Sequence, residues 1–146
     1  MKKLAILTLI LSAFTSSCKK YEEDEGIRLR TVKQRLTRTN WILNKYIQDD
    51  IVLCEGEDCY LAYIYVIYNF EKNSQGKRVL SPSYSTNFEW EFIEKKSTIR
   101  LKFEDFFGSI EEYEILKLTN NELVLIFKYS NINNNRPHAR FEFKKL

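Results

Sequence analysis

Few side chains in this sequence belong to the types that carry out catalysis. The chain of 146 residues has one histidine, His138, and three cysteines, Cys18, Cys54 and Cys59. Its four glycines are too scattered to build a loop around a phosphate group. Nucleophilic catalysis needs a base beside the nucleophile, and His138 falls among the polar positions of an alternating segment, where it is exposed to water. We predict that the protein is not an enzyme and uses no cofactor.

Paired carboxylates are the remaining route to acid–base chemistry. Glu89 and Glu91 lie in one alternating segment, and Glu112 and Glu114 lie in another. Each acid alternates with an aromatic or aliphatic neighbour, which places the acids on the solvated face of a strand. We interpret them as outer-face residues.

Cys54 and Cys59 flank the sequence EGED, which leaves four residues between the two thiols. In an oxidising compartment such a pair favours a disulfide, here at the neck of a hairpin. Free thiols and a metal site are the alternatives, but no second cysteine pair and no nearby histidine completes a tetrahedral zinc site. We predict a disulfide and no metal site.

Acidic side chains surround this cysteine pair at a density that could hold calcium weakly. Their spacing matches no calcium-binding loop, and exposed acids around a hairpin tip are the alternative interpretation, which we favour. These residues are Asp49, Asp50, Glu55, Glu57 and Asp58.

The first residues, MKKLAILTLILSAFTSSC, place Lys2 and Lys3 before an apolar run from Leu4 to Phe14. A basic start, a short apolar run and small residues are typical of a secretory signal peptide. The run is too short for a membrane-spanning helix, which needs roughly 20 apolar residues. The small residues directly before Cys18 resemble the lipobox of bacterial lipoproteins. The resemblance implies cleavage before Cys18 and lipidation of its thiol.

This resemblance divides the chain into three parts: a lipoprotein signal peptide over residues 1–17, a lipidated cysteine with an acidic tether over 18–26, and a single domain over 27–146. The acidic run of the tether, EEDE, resembles the export signal that takes some Gram-negative lipoproteins to the outer face of the outer membrane. A solvated linker is the alternative. We predict a lipid-anchored outer-membrane protein and leave cell-surface exposure open.

Alternation with period two dominates the rest of the sequence. Residues 84–93 alternate aromatic with polar side chains, and the same pattern returns over 99–103, 123–129 and 139–144. With NWILNKYI, EEYEILKL and a continuous apolar strand over 60–70, we count about seven or eight strands, separated by turn sequences such as EKNSQGKR. The sequence IRLRTVKQRLTRT predicts one short helix before the first strand. The edge strands of such a meander have to be protected, either by closure into a barrel or by division into a small sandwich. We predict an all-β fold that closes into a barrel.

Two further segments, LRTVKQRLTRTNWILNKYIQDD and YEILKLTNNELVL, resemble the opening and the late hairpin of the lipocalin-like lipoproteins of Gram-negative bacteria. The resemblance implies a small lipocalin-like barrel. An interior of that size either admits one small ligand or is filled by side chains. If it is open, aromatic side chains line it: Trp41, Phe88, Trp90, Phe103, Phe127 and Phe141.

The expected function is therefore binding. The first hypothesis is a binding module for a small apolar or amphipathic ligand or for an envelope partner. The alternative is a structural or accessory subunit of an envelope complex, with a solidly packed barrel. Nucleic acid is not an expected partner, because the net charge falls from +3 to +1 when Lys2 and Lys3 leave with the signal peptide.

Overall fold

The computed structural model describes residues 30–61, 66–132 and 138–146. In these ranges the chain forms nine β-strands, two short helices and one 3₁₀ turn. In chain order they are α1 Val32–Leu36, β1 Asn40–Gln48, β2 Ile51–Glu55, α2 Asp58–Leu61, β3 Ile67–Phe70, β4 Gln75–Ser81, β5 Tyr84–Ile93, the 3₁₀ turn Glu94–Lys96, β6 Thr98–Phe103, β7 Ile110–Leu118, β8 Glu122–Ser130 and β9 Arg140–Lys145.

Eight of these strands close into an antiparallel barrel. The sheet runs from β1 through β3 to β9, and β9 returns to pair with β1, with Trp41 opposite Lys145. β2 lies outside this ring and pairs with the second half of β1, whereas β3 pairs with the first half. The prediction of an all-β meander that closes into a barrel is confirmed.

The barrel has two different ends because the antiparallel order places successive connections at opposite ends. The helix end carries α1 and the turns at 71–74, 94–97 and 119–121. The loop end carries the turns at 49–50 and 82–83, the loop 104–109, and residues 131–132 and 138–139, which follow β8 and precede β9.

α1 packs against the helix end. Thr31 caps it in a reciprocal pair with Gln34, which satisfies two otherwise unpaired backbone donors. Leu36 is fully buried, and its carbonyl accepts a hydrogen bond from Trp41 Nε1 at 2.9 Å. Arg35 donates to the carbonyl of Leu118 at the end of β7. The predicted helix over residues 27–39 was too long at both ends, since α1 begins at Val32 and ends at Leu36. Residues 27–29 lie outside the described part.

The disulfide between Cys54 and Cys59 is confirmed, but its predicted setting was wrong. Cys54 lies at the end of β2 and Cys59 in α2, so the bond ties a strand to the helical turn that follows it. The left-handed φ of Gly56 (62°) reverses the chain between them. The strand predicted over residues 60–70 begins only at Ile67, with residues 62–65 outside the described part and residues 60 and 61 in α2.

The first four residues of β4, 75–78, belong to the sequence EKNSQGKR that we predicted as a turn, so this prediction was wrong there. The inward positions of β4 include Gly76, which lies opposite Phe88 in β5. A side chain at this position would collide with the Phe88 ring, and this contact explains why glycine stands within the strand.

Among the described residues, none of the helices has both the length and the apolar character needed to cross a bilayer.

Candidate functional site

All six residues that we predicted as a ligand lining face the barrel interior. Trp41, Phe88, Trp90 and Phe103 are almost completely buried, whereas Phe127 and Phe141 retain slightly more exposure. The Phe88 ring contacts the Phe103 ring at 5.5 Å between centroids, in an edge-to-face arrangement. The structure thus brings these residues together as core, and contact with a ligand stays a prediction.

The two tryptophans have structural partners for their ring N–H groups. Trp41 bonds to α1, and Trp90 Nε1 donates to the carbonyl of Gln75 at 2.9 Å. The helix-end part of the interior is therefore fixed by aromatic packing and by hydrogen bonds to the backbone.

The interior holds an ion pair nearer the loop end. Arg78 from β4 donates through Nη1 to both carboxylate oxygens of Glu111 from β7, at 3.3 Å each. The Tyr113 hydroxyl donates to the same carboxylate at 2.7 Å, and the buried Tyr68 interacts electrostatically with Arg78 and Glu111. The guanidinium of Arg78 also stacks on Phe103, 3.8 Å from the ring centroid. These four polar residues, Tyr68, Arg78, Glu111 and Tyr113, are called the Arg78 cluster.

The Arg78 cluster is enclosed but still reached by solvent. The Arg78 side chain is 17% exposed and the Glu111 side chain 20%. Arg78 Nε is buried and has no hydrogen-bond acceptor among the described residues. A guanidinium has five N–H donors, so the cluster offers more donors than its own carboxylate accepts.

Burial controls the protonation of this cluster. It raises the pKa of Tyr113 well above the ordinary value, and the nearby Tyr68 and Glu111 add to the rise. It also raises the pKa of Tyr68, although Arg78 acts in the opposite direction. Burial alone would lower the pKa of Arg78, but its interactions with Tyr68 and Glu111 together outweigh burial and raise it. The tyrosines therefore stay neutral and Arg78 stays charged near neutral pH.

Reasoning from the sequence missed the Arg78 cluster. Arg78 fell inside a segment assigned to a turn, and Glu111 was not distinguished from its neighbours. The only available signal was the parity of Glu111 with Tyr113 and Ile115, whose side chains are buried. An arginine–glutamate pair across the interior is visible only once the strands are arranged.

The loop end also carries exposed apolar side chains. The most prominent are Phe106 and Phe107, which are 96% and 74% exposed. Beside them in the loop, Asp105 accepts hydrogen bonds from the backbone and hydroxyl of Ser109, at 2.8 Å from the backbone nitrogen. The hydrogen bonds from Ser109 lower the pKa of Asp105. Other exposed apolar residues of this end are Ile51, Val52, Tyr84 and Ile132.

The outer wall carries a second arginine–glutamate cluster. Arg100 Nε donates to Glu112 at 2.8 Å, and Arg100 Nη1 donates to Glu91 at 2.9 Å. These hydrogen bonds raise the pKa of Arg100. A groove of about 680 Å³ runs beside this cluster, also lined by Glu89 and Lys102. Glu89, Glu91, Glu112 and Glu114 were interpreted as outer-face residues, and the partly exposed Arg100 cluster fits that placement for Glu91 and Glu112.

No three His, Cys, Asp or Glu side chains within residues 30–61, 66–132 and 138–146 come together in a way that would hold a metal ion. Of the acids near the disulfide, Glu55 forms an ion pair with Lys45 at 3.1 Å. His138 is exposed and precedes β9, with a left-handed φ of 65°.

Comparison with known proteins adds information on the fold. No protein-family model matches the chain, and no curated protein matches it either. A crystal structure of an uncharacterized protein from Bacteroides eggerthii DSM 20697 is similar, with a TM-score of 0.51 and 12% sequence identity. The match covers 74% of this chain and 98% of that protein. At this identity the similarity concerns the barrel fold alone.

Proposed function

We propose that this protein is a lipid-anchored envelope protein whose barrel binds an amphipathic small molecule at the Arg78 cluster. The observation that carries the proposal is the position of the ion pair, inside the barrel and close to its loop end. A buried ion pair contributes little stability compared with apolar residues of similar volume. Its presence in an otherwise largely apolar interior therefore favours a role in binding.

The chemistry of the cluster indicates the class of ligand. The unpartnered Arg78 Nε suits an acceptor oxygen, such as that of a carboxylate or a carbonyl group. The rings of Tyr46 and Phe141 stack nearby at 4.9 Å and Tyr113 meets Phe127 at 5.8 Å, which provides an apolar surface. A molecule with one polar group and a compact apolar part matches this arrangement.

The location rests on the sequence and on one structural feature. Cys18 follows a sequence that is typical of a signal peptide and resembles a lipobox, and the Cys54–Cys59 disulfide fits an oxidising compartment. Replacing Cys18 with alanine should release the protein from membranes into the soluble fraction. If the variant stays in the membrane pellet, the proposed anchor is wrong.

Native mass spectrometry of the protein purified from its own host tests the ligand. We expect the wild type to carry an extra mass that Arg78→Met loses, because the substitution removes the donors and leaves the volume nearly unchanged. Arg100→Met is the matched control, since it removes an arginine from a similar ion pair on the outer wall. A mass that both variants retain would place the ligand elsewhere.

A second candidate function is an accessory subunit that contacts an envelope protein through its loop end. The exposure of Phe106 and Phe107 favours it, because exposed aromatic pairs are frequent at protein interfaces. Phe106→Ser with Phe107→Ser should then abolish a protein complex seen by native mass spectrometry. The small-ligand hypothesis predicts instead that the complex is absent and that the small extra mass depends on Arg78.

A further inference from the structure

Basic side chains collect at the helix end of the barrel, away from the Arg78 cluster. Arg30, Lys33 and Arg38 lie in or beside α1, and all three are exposed. Arg30 reaches Asn120 in the turn at 119–121, with 3.3 Å between Nη1 and Oδ1, which fixes this part of the chain at the helix end. The turn at 71–74 adds the exposed Lys72.

Two other elements add charge of the same sign at this end. Lys95 and Lys96 occupy the 3₁₀ turn between β5 and β6, and both are exposed. Lys144 and Lys145, which are also exposed, end β9 beside the start of β1. Four separate parts of the chain thus contribute basic side chains to one end of the barrel.

Two acids of the helix end already have cationic partners. Glu94 accepts a hydrogen bond from Lys128 at 2.8 Å, and Glu122 forms an ion pair with Lys117 at 3.0 Å. These two partners lie in strands, Lys128 in β8 and Lys117 in β7, so these contacts use neither Lys72 nor Lys96.

The described part of the loop end has the opposite character. Asp49 and Asp50 form its β1–β2 turn, and Glu104 and Asp105 begin its longest described loop. The barrel therefore has a basic end and an end that is acidic and apolar. Such a separation of charge orients a protein over a charged surface.

We propose that the helix end docks on an anionic lipid surface, with Lys72, Lys96 and their neighbours facing the headgroups. Charge complementarity selects this partner, since polybasic surfaces bind anionic lipids with a gain for each lysine or arginine near the bilayer. Residues 19–29 connect Cys18 to this same end and span at most roughly 40 Å. The docking does not require the lipid on Cys18, so it can be measured without it.

Sedimentation with vesicles tests this proposal, using the chain from residue 18 with Cys18→Ser. We expect binding to vesicles of phosphatidylcholine mixed with phosphatidylglycerol, and much weaker binding to phosphatidylcholine alone. Lys72→Gln with Lys96→Gln should weaken binding about five-fold for each charge removed. Lys77→Gln with Lys102→Gln is the matched control, because it removes the same charge from the barrel wall and should change binding by less than about two-fold.

Several results would overturn the proposal. Equal weakening by the two double variants would show that net charge, and not the helix end, controls binding. Equal binding to neutral and anionic vesicles would remove the electrostatic basis. Tighter binding to duplex DNA than to the anionic vesicles at the same salt concentration would make nucleic acid the better partner. Circular dichroism of each variant checks that the barrel remains folded.

Discussion

Gly76→Ala is expected to destabilise the barrel because the space beside Gly76 is filled by the Phe88 ring. A Cβ atom at this position would lie 2.4 Å from Phe88 Cε2 and Cζ and 2.6 Å from the carbonyl oxygen of Asn69. The Phe88 ring cannot easily yield, because it is fully buried and meets the rings of Phe70 and Phe103 at 5.4 and 5.5 Å.

The expected size of the effect follows from this geometry. To restore ordinary contact the ring has to move by about 1 Å, and overpacking of this kind costs roughly 1–3 kcal/mol. Replacing a strand glycine by alanine returns roughly 0.5–1 kcal/mol of conformational entropy. Because the new Cβ collides with the Asn69 carbonyl as well as with the ring, we take the upper limit of about 3 kcal/mol for the cost. After the entropy is subtracted, we expect Gly76→Ala to lower the free energy of unfolding by about 2 kcal/mol.

A double-mutant cycle identifies the cause. Urea denaturation, followed by the fluorescence of Trp41 and Trp90, gives the free energy of unfolding of each variant. Phe88→Leu alone should cost about 1 kcal/mol, so independent effects would sum to about 3 kcal/mol in the double variant. We expect a loss of about 2 kcal/mol instead, since the smaller side chain relieves one collision while the Asn69 contact persists.

Additive losses within about 0.5 kcal/mol would refute this reasoning. So would a Gly76→Ala variant as stable as the wild type. Additive losses would mean that the cost arises from the Asn69 carbonyl and not from the Phe88 ring. An unchanged stability would mean that the interior beside Phe88 has free space, and the deeper aromatic residues would then become candidates for contact with a ligand.

Two further predictions concern the disulfide and the buried tyrosines. Cys54→Ser with Cys59→Ser should lower the free energy of unfolding by about 2 kcal/mol, the chain-entropy value for so short a loop; an unchanged urea midpoint would contradict it. The pKa values of Tyr68 and Tyr113 are raised in the folded state, so the stability that they contribute is complete below the unfolded value of about 10 and is lost as the pH rises through the folded values. Tyrosinate absorbance of these two residues should therefore appear together with loss of the β-sheet circular dichroism, and their ionisation in an intact barrel would count against the burial described for them.

The strands that alternate cleanly could be predicted from the sequence. β5 has the predicted bounds, Tyr84–Ile93, because one face meets the core and the other meets water, and this asymmetry is visible within the strand itself. β4 could not be predicted in the same way. Its inward positions hold Gly76 and Arg78, and these two residue types are explained by contacts with β3, β5 and β7. The sequence of β4 therefore lacks the apolar alternation that would identify it as a strand.

The candidate site was unpredictable for the same reason. Trp41, Phe88 and Trp90 were correctly placed inside the barrel, since large aromatic side chains are buried in almost any arrangement of these strands. Arg78 and Glu111 come from strands that are not neighbours in the sheet, and only the closure of the ring brings their side chains together.

The pairing of β1 with β9 also has a consequence for biogenesis. Because Trp41 pairs with Lys145, the ring cannot close until almost the whole chain has been delivered. The entropic cost of joining such distant segments slows folding. A nascent chain that lacks β9 therefore cannot close the ring, and the edges of β8 and β1 that pair with β9 stay unpaired until the last strand arrives.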